Sequence, residues 1–136
     1  MREIKFRAWD KLTSKMLYWE YLLSVHPSIN LFFNEPDVEL MQYTGLKDKN
    51  GKEIYERDII QEQTIMIGHT GKVFQQGSGE WSVSYRRGSH PFYIPDGFEN
   101  SIETHSLQDW ASDKRIVVIG NIYENPELLS PNVAKA

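Results

Sequence analysis

The chain has 136 residues, a formal net charge of −4 and no cysteine. This length suits a single domain, and the lack of cysteine excludes a disulfide framework, a thiolate metal site and a cysteine nucleophile. With 40% hydrophobic and 12% aromatic residues, the chain can form a core and does not belong to the disordered class. It contains no apolar stretch of the roughly 20 residues that span a bilayer, and residues 1–10 lack the apolar core of a signal peptide. We therefore expect a cytoplasmic protein without a membrane partner.

An antiparallel hairpin is predicted near the N-terminus. Residues 4–9 alternate apolar with basic side chains, which is the period of a half-buried strand. A polar turn over residues 10–15 leads into residues 16–23, whose aromatic and aliphatic side chains predict the second strand. A helix is the alternative for residues 16–23, because methionine, leucine and glutamate favour helices.

Turn signals divide the middle of the chain into further strands. Residues 38–43 alternate and predict a strand. Asn50-Gly51 is the strongest turn signal, because both residues tolerate the positive φ of a type I′ turn. Another strand is predicted to begin at Asp58 and to extend as far as Ile67.

A second hairpin is predicted from residues 72–75 and 80–85, which flank a glycine-rich turn. In its second strand Trp81, Val83 and Tyr85 alternate with serines. This alternation predicts one buried face and one solvated face.

The last third of the sequence mixes a loop, helices and a strand. Residues 86–100 contain two prolines and two glycines and predict a long, partly packed loop. Ser106, followed three residues later by Asp109, resembles a capping box and predicts the start of a helix. Residues 115–119 are a β-branched run typical of a strand buried on both faces, and one helical turn is predicted after Asn125.

Three blocks of the sequence are distinctive when they are taken together. They are MREIKFRAWD at residues 1–10, MQYTGLKDKNGKEIY at residues 41–55 and IGNIYENP at residues 119–126. As a set they resemble the YopX family of phage and prophage proteins. One departure matters: after the second block and Glu56, the family usually has glycine and aspartate, whereas this chain has Arg57 and Asp58. If that glycine has a positive φ, the arginine costs about 1 kcal/mol.

The resemblance implies an uncharacterised, mostly β protein that is encoded by a temperate phage and acts in the bacterial cytoplasm. It transfers no catalytic residue to this chain. The recurring residues of the family suit structural roles instead. Turns are implied at Gly45 and Gly51, core positions at Trp9 and Tyr55, and the cap of a turn at Asp58.

These patterns predict a mostly β fold with an antiparallel small-barrel, SH3-like core, an appended N-terminal hairpin and one or two short helices. We expect one YopX-like domain over residues 1–129. It has a possible division into an N-terminal hairpin region at residues 1–36 and a barrel-like core at residues 37–129. Residues 130–136 are expected to form a flexible tail.

The side chains that could carry catalysis form no convincing constellation. The histidines have no ligand spacing, and the carboxylates near residue 55 predict a solvated turn that pairs with Lys52 and Arg57. No nucleophile elbow and no phosphate-binding glycine loop is present in the sequence. We therefore expect no catalytic residue, no cofactor, no metal site and no enzymatic activity. The groups considered are His26, His69, His90, His105, Glu53, Glu56 and Asp58.

Two binding hypotheses follow from the aromatic residues, which comprise 4 Trp, 7 Tyr and 6 Phe. The first is a homo-oligomer that also binds a host or phage macromolecule, because tyrosine and tryptophan are enriched at interfaces and uncovered strand edges invite pairing. The second is a small barrel that binds nucleic acid through basic and aromatic side chains, although the acidic net charge opposes phosphate attraction. The candidate binding surface consists of Lys5, Arg7, Trp9, Trp81, Tyr85, Arg86 and Arg87.

Overall fold

In a computed structural model, which describes residues 3–25, 36–63, 69–86 and 102–129, the chain forms two antiparallel sheets and two short helices. The first sheet contains β1 (Phe6–Asp10), β2 (Lys15–Leu17), β3 (Val38–Lys47) and β4 (Glu53–Tyr55), and the helix α1 (Trp19–Val25) lies between β2 and β3 in the chain. The strand order in this sheet is β2-β1-β3-β4.

The second sheet is a curled half-barrel with the strand order β8-β7-β6-β5-β9. Four consecutive strands form a meander, and the last strand returns to pair antiparallel with the first. Its elements are β5 (Asp58–Glu62), β6 (Thr70–Gln75), β7 (Trp81–Arg86), β8 (Ile102–Ser106), the helix α2 (Leu107–Ser112) and β9 (Ile116–Asn121), followed by a 3₁₀ turn (Pro126–Leu129). The prediction of a mostly β chain is confirmed.

The predicted N-terminal hairpin forms, with Trp9 opposite Met16. The prediction that its second strand extends to residue 23 is wrong, because β2 ends at Leu17 and α1 begins two residues later. The segment is helical because a helix buries Leu22 against Ala8 and leaves the flanking Tyr21 and Leu23 side chains in solvent. The hairpin is also not an appendage of the half-barrel, since β1 pairs with β3 over residues 6–10 and so belongs to a four-stranded sheet.

The predicted strand over residues 38–43 is confirmed and continues to Lys47 through an irregularity at Gly45, whose φ is 86°. Gly45 therefore lies in a bulge and not in a turn. The β3–β4 turn is also not type I′, because Gly51 has a φ of 84° while Asn50 has no positive φ. Instead the Asp48 carboxylate accepts hydrogen bonds from the backbone amides of Asn50 and Lys52, at 2.8 and 2.9 Å. This is the geometry of a type I turn followed by a left-handed glycine.

The predicted pairing of β6 with β7 is confirmed, and Trp81 and Val83 lie in the core. The prediction of a solvated opposite face fails at Ser82, which has no exposed surface. The Gln76 side chain covers it and donates a hydrogen bond of 2.7 Å to its hydroxyl. The main core contains Ile54, Ile60, Val73, Trp81, Val83, Leu107, Trp110 and Ile116.

The helix predicted after Ser106 is confirmed as α2, which ends at Ser112 with Asp113 as its C-cap, but the Ser106 side chain makes no capping hydrogen bond. The strand predicted over residues 115–119 is confirmed as β9, but its predicted burial on both faces holds only at Ile116 and Val117, since Val118 and Ile119 are half-buried. Its register shifts where it passes Ile59 and Ile60 of β5. The helical turn after Asn125 is confirmed as a 3₁₀ turn.

Several predictions fall outside the described residues. They concern the strand beyond residue 63, the loop after Arg86 and the tail at residues 130–136. The division into a hairpin region and a barrel-like core stays a prediction. Within the part of the chain that the structure describes, no helix has the length and apolar character needed to cross a bilayer.

Candidate functional site

A cleft of about 410 Å³ opens where the two sheets meet. Its lining comes from the start of α1, from β1 and β4 of the first sheet, and from β5, β9 and the turn after β9. Its volume lies within the usual range of about 300–1,000 Å³ for ligand sites. The cleft is therefore the candidate functional site.

A buried ion pair lies at the cleft. The Nη2 of Arg7 is 2.7 Å from Oδ1 of Asp58, and the two side chains are 6% and 2% exposed. The second carboxylate oxygen of Asp58 accepts the backbone N–H of Tyr55 at 2.8 Å, which confirms the implied role of Asp58 as the cap of a turn. Burial raises the pKa of Asp58, while the charge of Arg7 and the Tyr55 amide act in the opposite direction. Both oxygens of this carboxylate are thus engaged within the protein.

Three predicted site residues, two on β1 and one directly before it, each contact a tyrosine ring. Because strand residues two apart share a face, the side chains at positions 5, 7 and 9 point the same way. The pairs are Lys5 over Tyr43 at 5.0 Å, Arg7 over Tyr55 at 4.8 Å, and Trp9 stacked on Tyr123 with ring centroids 5.4 Å apart.

Lys5 also forms an ion pair with Glu53 and a longer one, 3.5 Å, with Glu3. The hydrogen bond to Glu53 raises the pKa of Lys5 to about 12. Lys5 and Arg7 therefore both have carboxylate partners inside the chain, Glu53 and Asp58.

The other predicted site residues lie in the second sheet. Trp81 is 6% exposed and belongs to the core. Tyr85 packs against His69 and Trp110, with centroid distances of 4.6 and 5.4 Å. The structure thus separates these two aromatic residues from the β1 group. The side chain of Arg86 and all of Arg87 lie outside what the structure describes, so their clustering with Lys5 and Arg7 stays a prediction.

The three carboxylates predicted to share a solvated turn have separate partners. Glu53 pairs with Lys5, Asp58 is buried against Arg7, and an oxygen of Glu56 lies 3.4 Å from the backbone N–H of Gln42. The prediction that they pair with Lys52 and Arg57 is therefore wrong. Contacts between strands determine the partners of these carboxylates. Such contacts join residues that are far apart in the chain.

The lining of the cleft contains exposed residues that the sequence did not single out. Two of them are Tyr18 and Glu20, at the start of α1. In the turn after β9, Oδ1 of Asn121 accepts the backbone amides of Tyr123 and Glu124, and its Nδ2 donates to Glu124 at 2.8 Å. An Asx turn of this kind fixes the position of Glu124 beside the cleft. The block IGNIYENP contains this turn. Its only sequence signal is Asn121, which stands two residues before the pair Tyr123 and Glu124.

A separate aromatic cluster surrounds Trp110. His105 stacks on its indole with ring centroids 4.8 Å apart, and His69 lies parallel to it at 6.5 Å. Among the described residues, no three histidine or acidic side chains are grouped as a metal site. His26 and His90 lie outside the described ranges.

Comparisons with known proteins place the chain in a family. Two solved structures are similar over nearly the whole chain. Protein EF1440 from Enterococcus faecalis is 25% identical, with a TM-score of 0.54, and the match covers 96% of this chain and 100% of that one. YopX from Bacillus subtilis is 21% identical, with a TM-score of 0.52 and coverage of 93% and 98%, which indicates a shared fold. No protein with a curated description matches. The model of the YopX protein family matches residues 5–130, and the chain belongs to the YopX family.

Proposed function

We propose that the chain is a non-enzymatic phage or prophage accessory protein that acts in the host cytoplasm, self-associates and binds a macromolecular partner. The observation that carries this proposal is a group of large exposed side chains at α1, beside the cleft. Tyr18 and Tyr21 are each 52% exposed and Leu23 is 60% exposed.

The geometry of α1 supports an interface. One side of this helix is anchored, because Leu22 is buried with Ala8 and Trp19 packs against Phe6. Tyr18 directly precedes α1 and Tyr21 lies on it, and both side chains are exposed. Tyrosines of this kind contribute large contact areas at little cost in side-chain entropy. A second copy or a partner that covers α1 would bury them.

The neighbouring strand β2 adds a second feature. Within the described residues β2 pairs only with β1, so its other edge offers unpaired backbone groups next to α1. Edges of this kind favour association between chains. A twofold-symmetric contact through β2 and α1 would cover both features at once.

The charges at the cleft support binding more than catalysis. Arg7 and Asp58 neutralise each other, as do Lys5 and Glu53. A general acid or base needs a proton-transfer atom that faces the substrate. Here the buried carboxylate already holds two donors from the protein.

Self-association is tested by light scattering during size-exclusion chromatography at tens of micromolar protein. We expect a dimer or larger assembly that Tyr21→Ser and Leu23→Ser convert to monomer. Leu12→Ser is the matched control, because Leu12 is 77% exposed but lies in the β1–β2 turn and not on α1. A monomeric wild-type chain, or equal loss of assembly in the control, would contradict the proposal. Affinity capture from infected cells, repeated with the α1 variants, identifies the partner.

Nucleic-acid binding is the second candidate. The row formed by Lys5, Arg7 and Trp9 is the observation in its favour, since basic and aromatic side chains on one strand are typical of such surfaces. It ranks second because the two cations have carboxylate partners within the chain. A salt-dependent gel shift of a short single-stranded oligonucleotide would support it, and no shift at low salt would reject it.

We propose in addition that the half-barrel is SH3-like. Its support is the connection order: β5 to β8 form a meander, a short helix follows, and β9 pairs back onto β5. An experimental structure with this sheet open and β9 away from β5 would overturn this assignment.

A further inference from the structure

The turn between β3 and β4 presents a reactive pair of residues to solvent. Asn50 and Gly51 are both exposed, and Asn50 is the only asparagine in the sequence that is followed by a glycine. The Asn50 side chain has no hydrogen-bond partner among the described residues, and nothing lies within 4 Å of a Cβ atom added to Gly51. The side-chain amide of Asn50 therefore stands unbonded next to a backbone nitrogen whose own residue has no side chain.

Such a pair reacts without an enzyme. The backbone nitrogen of Gly51 attacks Cγ of Asn50, a nitrogen–carbon bond forms, and the side-chain nitrogen leaves as ammonia with the proton of the attacking N–H. Water then opens the resulting cyclic imide at one of its two carbonyl groups and gives aspartate or isoaspartate. In isoaspartate the main chain runs through the side-chain carbons. The reaction consumes one water molecule and releases one ammonia, so it needs no oxidant and no cofactor.

Hydrogen bonds hold the attacking nitrogen inside the turn. The Gly51 N–H donates to the carbonyl oxygen of Asp48 at 3.0 Å, and Oδ1 of Asp48 accepts the amides of Asn50 and Lys52 at 2.8 and 2.9 Å. The Gly51 nitrogen must leave this arrangement before it attacks Cγ, so the reaction requires the turn to open. The buried Asp48 carboxylate keeps the turn closed and thereby slows the reaction in the folded chain.

The same carboxylate anchors the turn to the second sheet. Its Oδ2 accepts the backbone N–H of Val118 on β9 at 3.0 Å. Isoaspartate at position 50 adds one carbon atom to the main chain between the two amides that Oδ1 binds, and it places a second carboxylate near Asp48. Both changes weaken the anchor to β9. Because Lys52 and Val118 line the cleft, the modification alters one wall of the cleft.

We propose that Asn50 is a site of spontaneous deamidation, that the product loosens the contact between the β3–β4 turn and β9, and that Asp48 restrains the reaction. The inference goes beyond the proposed function and does not depend on it. Asn121 has none of the features that make Asn50 reactive. It is 6% exposed, both of its side-chain polar atoms are hydrogen-bonded, and Ile122 follows it.

Peptide mapping by mass spectrometry tests the inference. The full chain is incubated in mildly alkaline buffer at physiological temperature, and samples are digested at intervals. We expect the mass change of an amide converted to a carboxylate at Asn50 and none at Asn121, with isoaspartate detected by an isoaspartate-specific methyltransferase. Asp48→Ser should accelerate the conversion about threefold to tenfold, because the turn loses hydrogen bonds to a charged acceptor.

The matched control variant is Asp10→Ser. The Asp10 carboxylate also accepts two backbone amides, but it lies in the β1–β2 turn beside the other end of β3, so its removal should leave the rate at Asn50 unchanged. The parent chain in urea is a second test of the restraint that does not require a folded variant, since unfolding should accelerate the conversion. No conversion at Asn50, equal conversion at Asn121, equal rates in the two variants, or a rate that urea does not raise would overturn the inference.

The effect on the cleft wall is measured on the modified chain. Ion exchange isolates this chain by its added negative charge, and hydrogen exchange then reports the protection of the Val118 amide. We expect this protection to fall, while the amides of the β6–β7 pair keep theirs. A Val118 amide that is equally protected before and after modification would show that the turn keeps its anchor, and would overturn the proposed loosening.

Discussion

Arg7 of β1 and Asp58 of β5 join the two sheets through a buried ion pair with a separation of 2.7 Å. The two residues are 51 positions apart in the chain, so the contact forms only when both sheets are assembled. Asp58 at the same time caps the tight connection between β4 and β5 through the Tyr55 amide. The cleft, the turn and the contact between the sheets therefore depend on the same carboxylate.

Removing one member of this pair should be strongly destabilising. Asp58→Asn leaves the Arg7 charge buried without a counter-charge, and Arg7→Met leaves the carboxylate alone. Each variant should lower the free energy of unfolding by about 3 kcal/mol or more. Urea denaturation of both single variants and of the double variant measures the coupling between the two residues. We expect the double variant to lose less free energy of unfolding than the two single variants lose in sum.

The exposed pair Lys11–Glu39 is the control for this cycle. Its atoms are also 2.7 Å apart, but the side chains are 46% and 36% exposed. Solvent screens such a pair, so Lys11→Met should change the unfolding midpoint little. Losses of similar size at both pairs would show that burial is not the decisive factor.

Gly71 should tolerate no side chain. A Cβ atom there would lie 2.6 Å from the backbone oxygen of Ser84 and 2.8 Å from a methyl group of Val83, both on the paired strand β7. Gly71→Ala should therefore push β6 away from β7 and destabilise the chain by about 1–3 kcal/mol. Gly77→Ala is the matched control, because nothing lies within 4 Å of the added methyl group. The thermal unfolding midpoint of Gly71→Ala should be lower than that of Gly77→Ala. Similar midpoints would contradict the close approach of β7 to Gly71.

Period-two patterns were sufficient to locate β1, β3 and β7. They did not predict burial on both faces, because the neighbouring residues Arg7 and Ala8 of β1 are both buried, as are Ser82 and Val83 of β7. The segment after Leu17 was ambiguous, since its residues suit both a strand and a helix, and the decision came from the burial of Leu22 against Ala8. A tertiary contact of that kind is invisible to local propensity.

The candidate site was less predictable than the fold. Lys5 and Arg7 were predicted to belong to a binding surface, which stays a prediction, and their carboxylate partners come from other strands. Glu20 was missed because its segment was expected to be a strand, and Glu124 because a single acid in a turn has no distinctive spacing. Sequence spacing reports only contacts within one element, whereas this cleft is formed by several elements.

Stability should fall steeply above pH 10. Burial raises the pKa of Tyr55 to about 12, so the unfolded chain loses this proton first and is favoured as the pH rises above 10. The raised pKa of Lys5, about 12, acts in the same direction, because its stabilising charge is retained below its ordinary value of 10.5 and is lost as the pH approaches 12. Urea midpoints at pH 8, 10 and 11 measure this fall.

Tyr55→Phe is the variant that isolates the tyrosine contribution to this pH dependence. It removes the phenol and keeps the ring beside Arg7, so the fall between pH 10 and 11 should be shallower than in the parent chain. Tyr21→Phe is the control, since Tyr21 is 52% exposed. An identical pH dependence in the parent chain and in Tyr55→Phe would refute the assigned role of burial.

Arg57 occupies the position where the family usually has glycine, and its φ of 69° lies in the left-handed region. An arginine pays about 1 kcal/mol or more for this conformation, whereas glycine adopts it without a clash. The backbone requires the conformation, because the N–H of Arg57 donates to Val73 and its carbonyl oxygen accepts from Ile122, at 2.8 and 3.1 Å. Arg57→Gly should therefore stabilise the chain by about 1 kcal/mol relative to Arg57→Ala, which keeps the strain.

The comparison of Gly with Ala at position 57 also removes the contribution of the arginine side chain. Both variants lose the contact of 3.4 Å between the guanidinium and the carbonyl oxygen of Leu40, so their difference reports backbone strain less the extra conformational entropy of glycine in the unfolded chain. Chemical denaturation of the parent chain, Arg57→Gly and Arg57→Ala gives the free energy of unfolding of each protein. If Arg57→Gly unfolds no later than Arg57→Ala, the turn does not need a left-handed residue, and the departure from the family pattern has no energetic consequence.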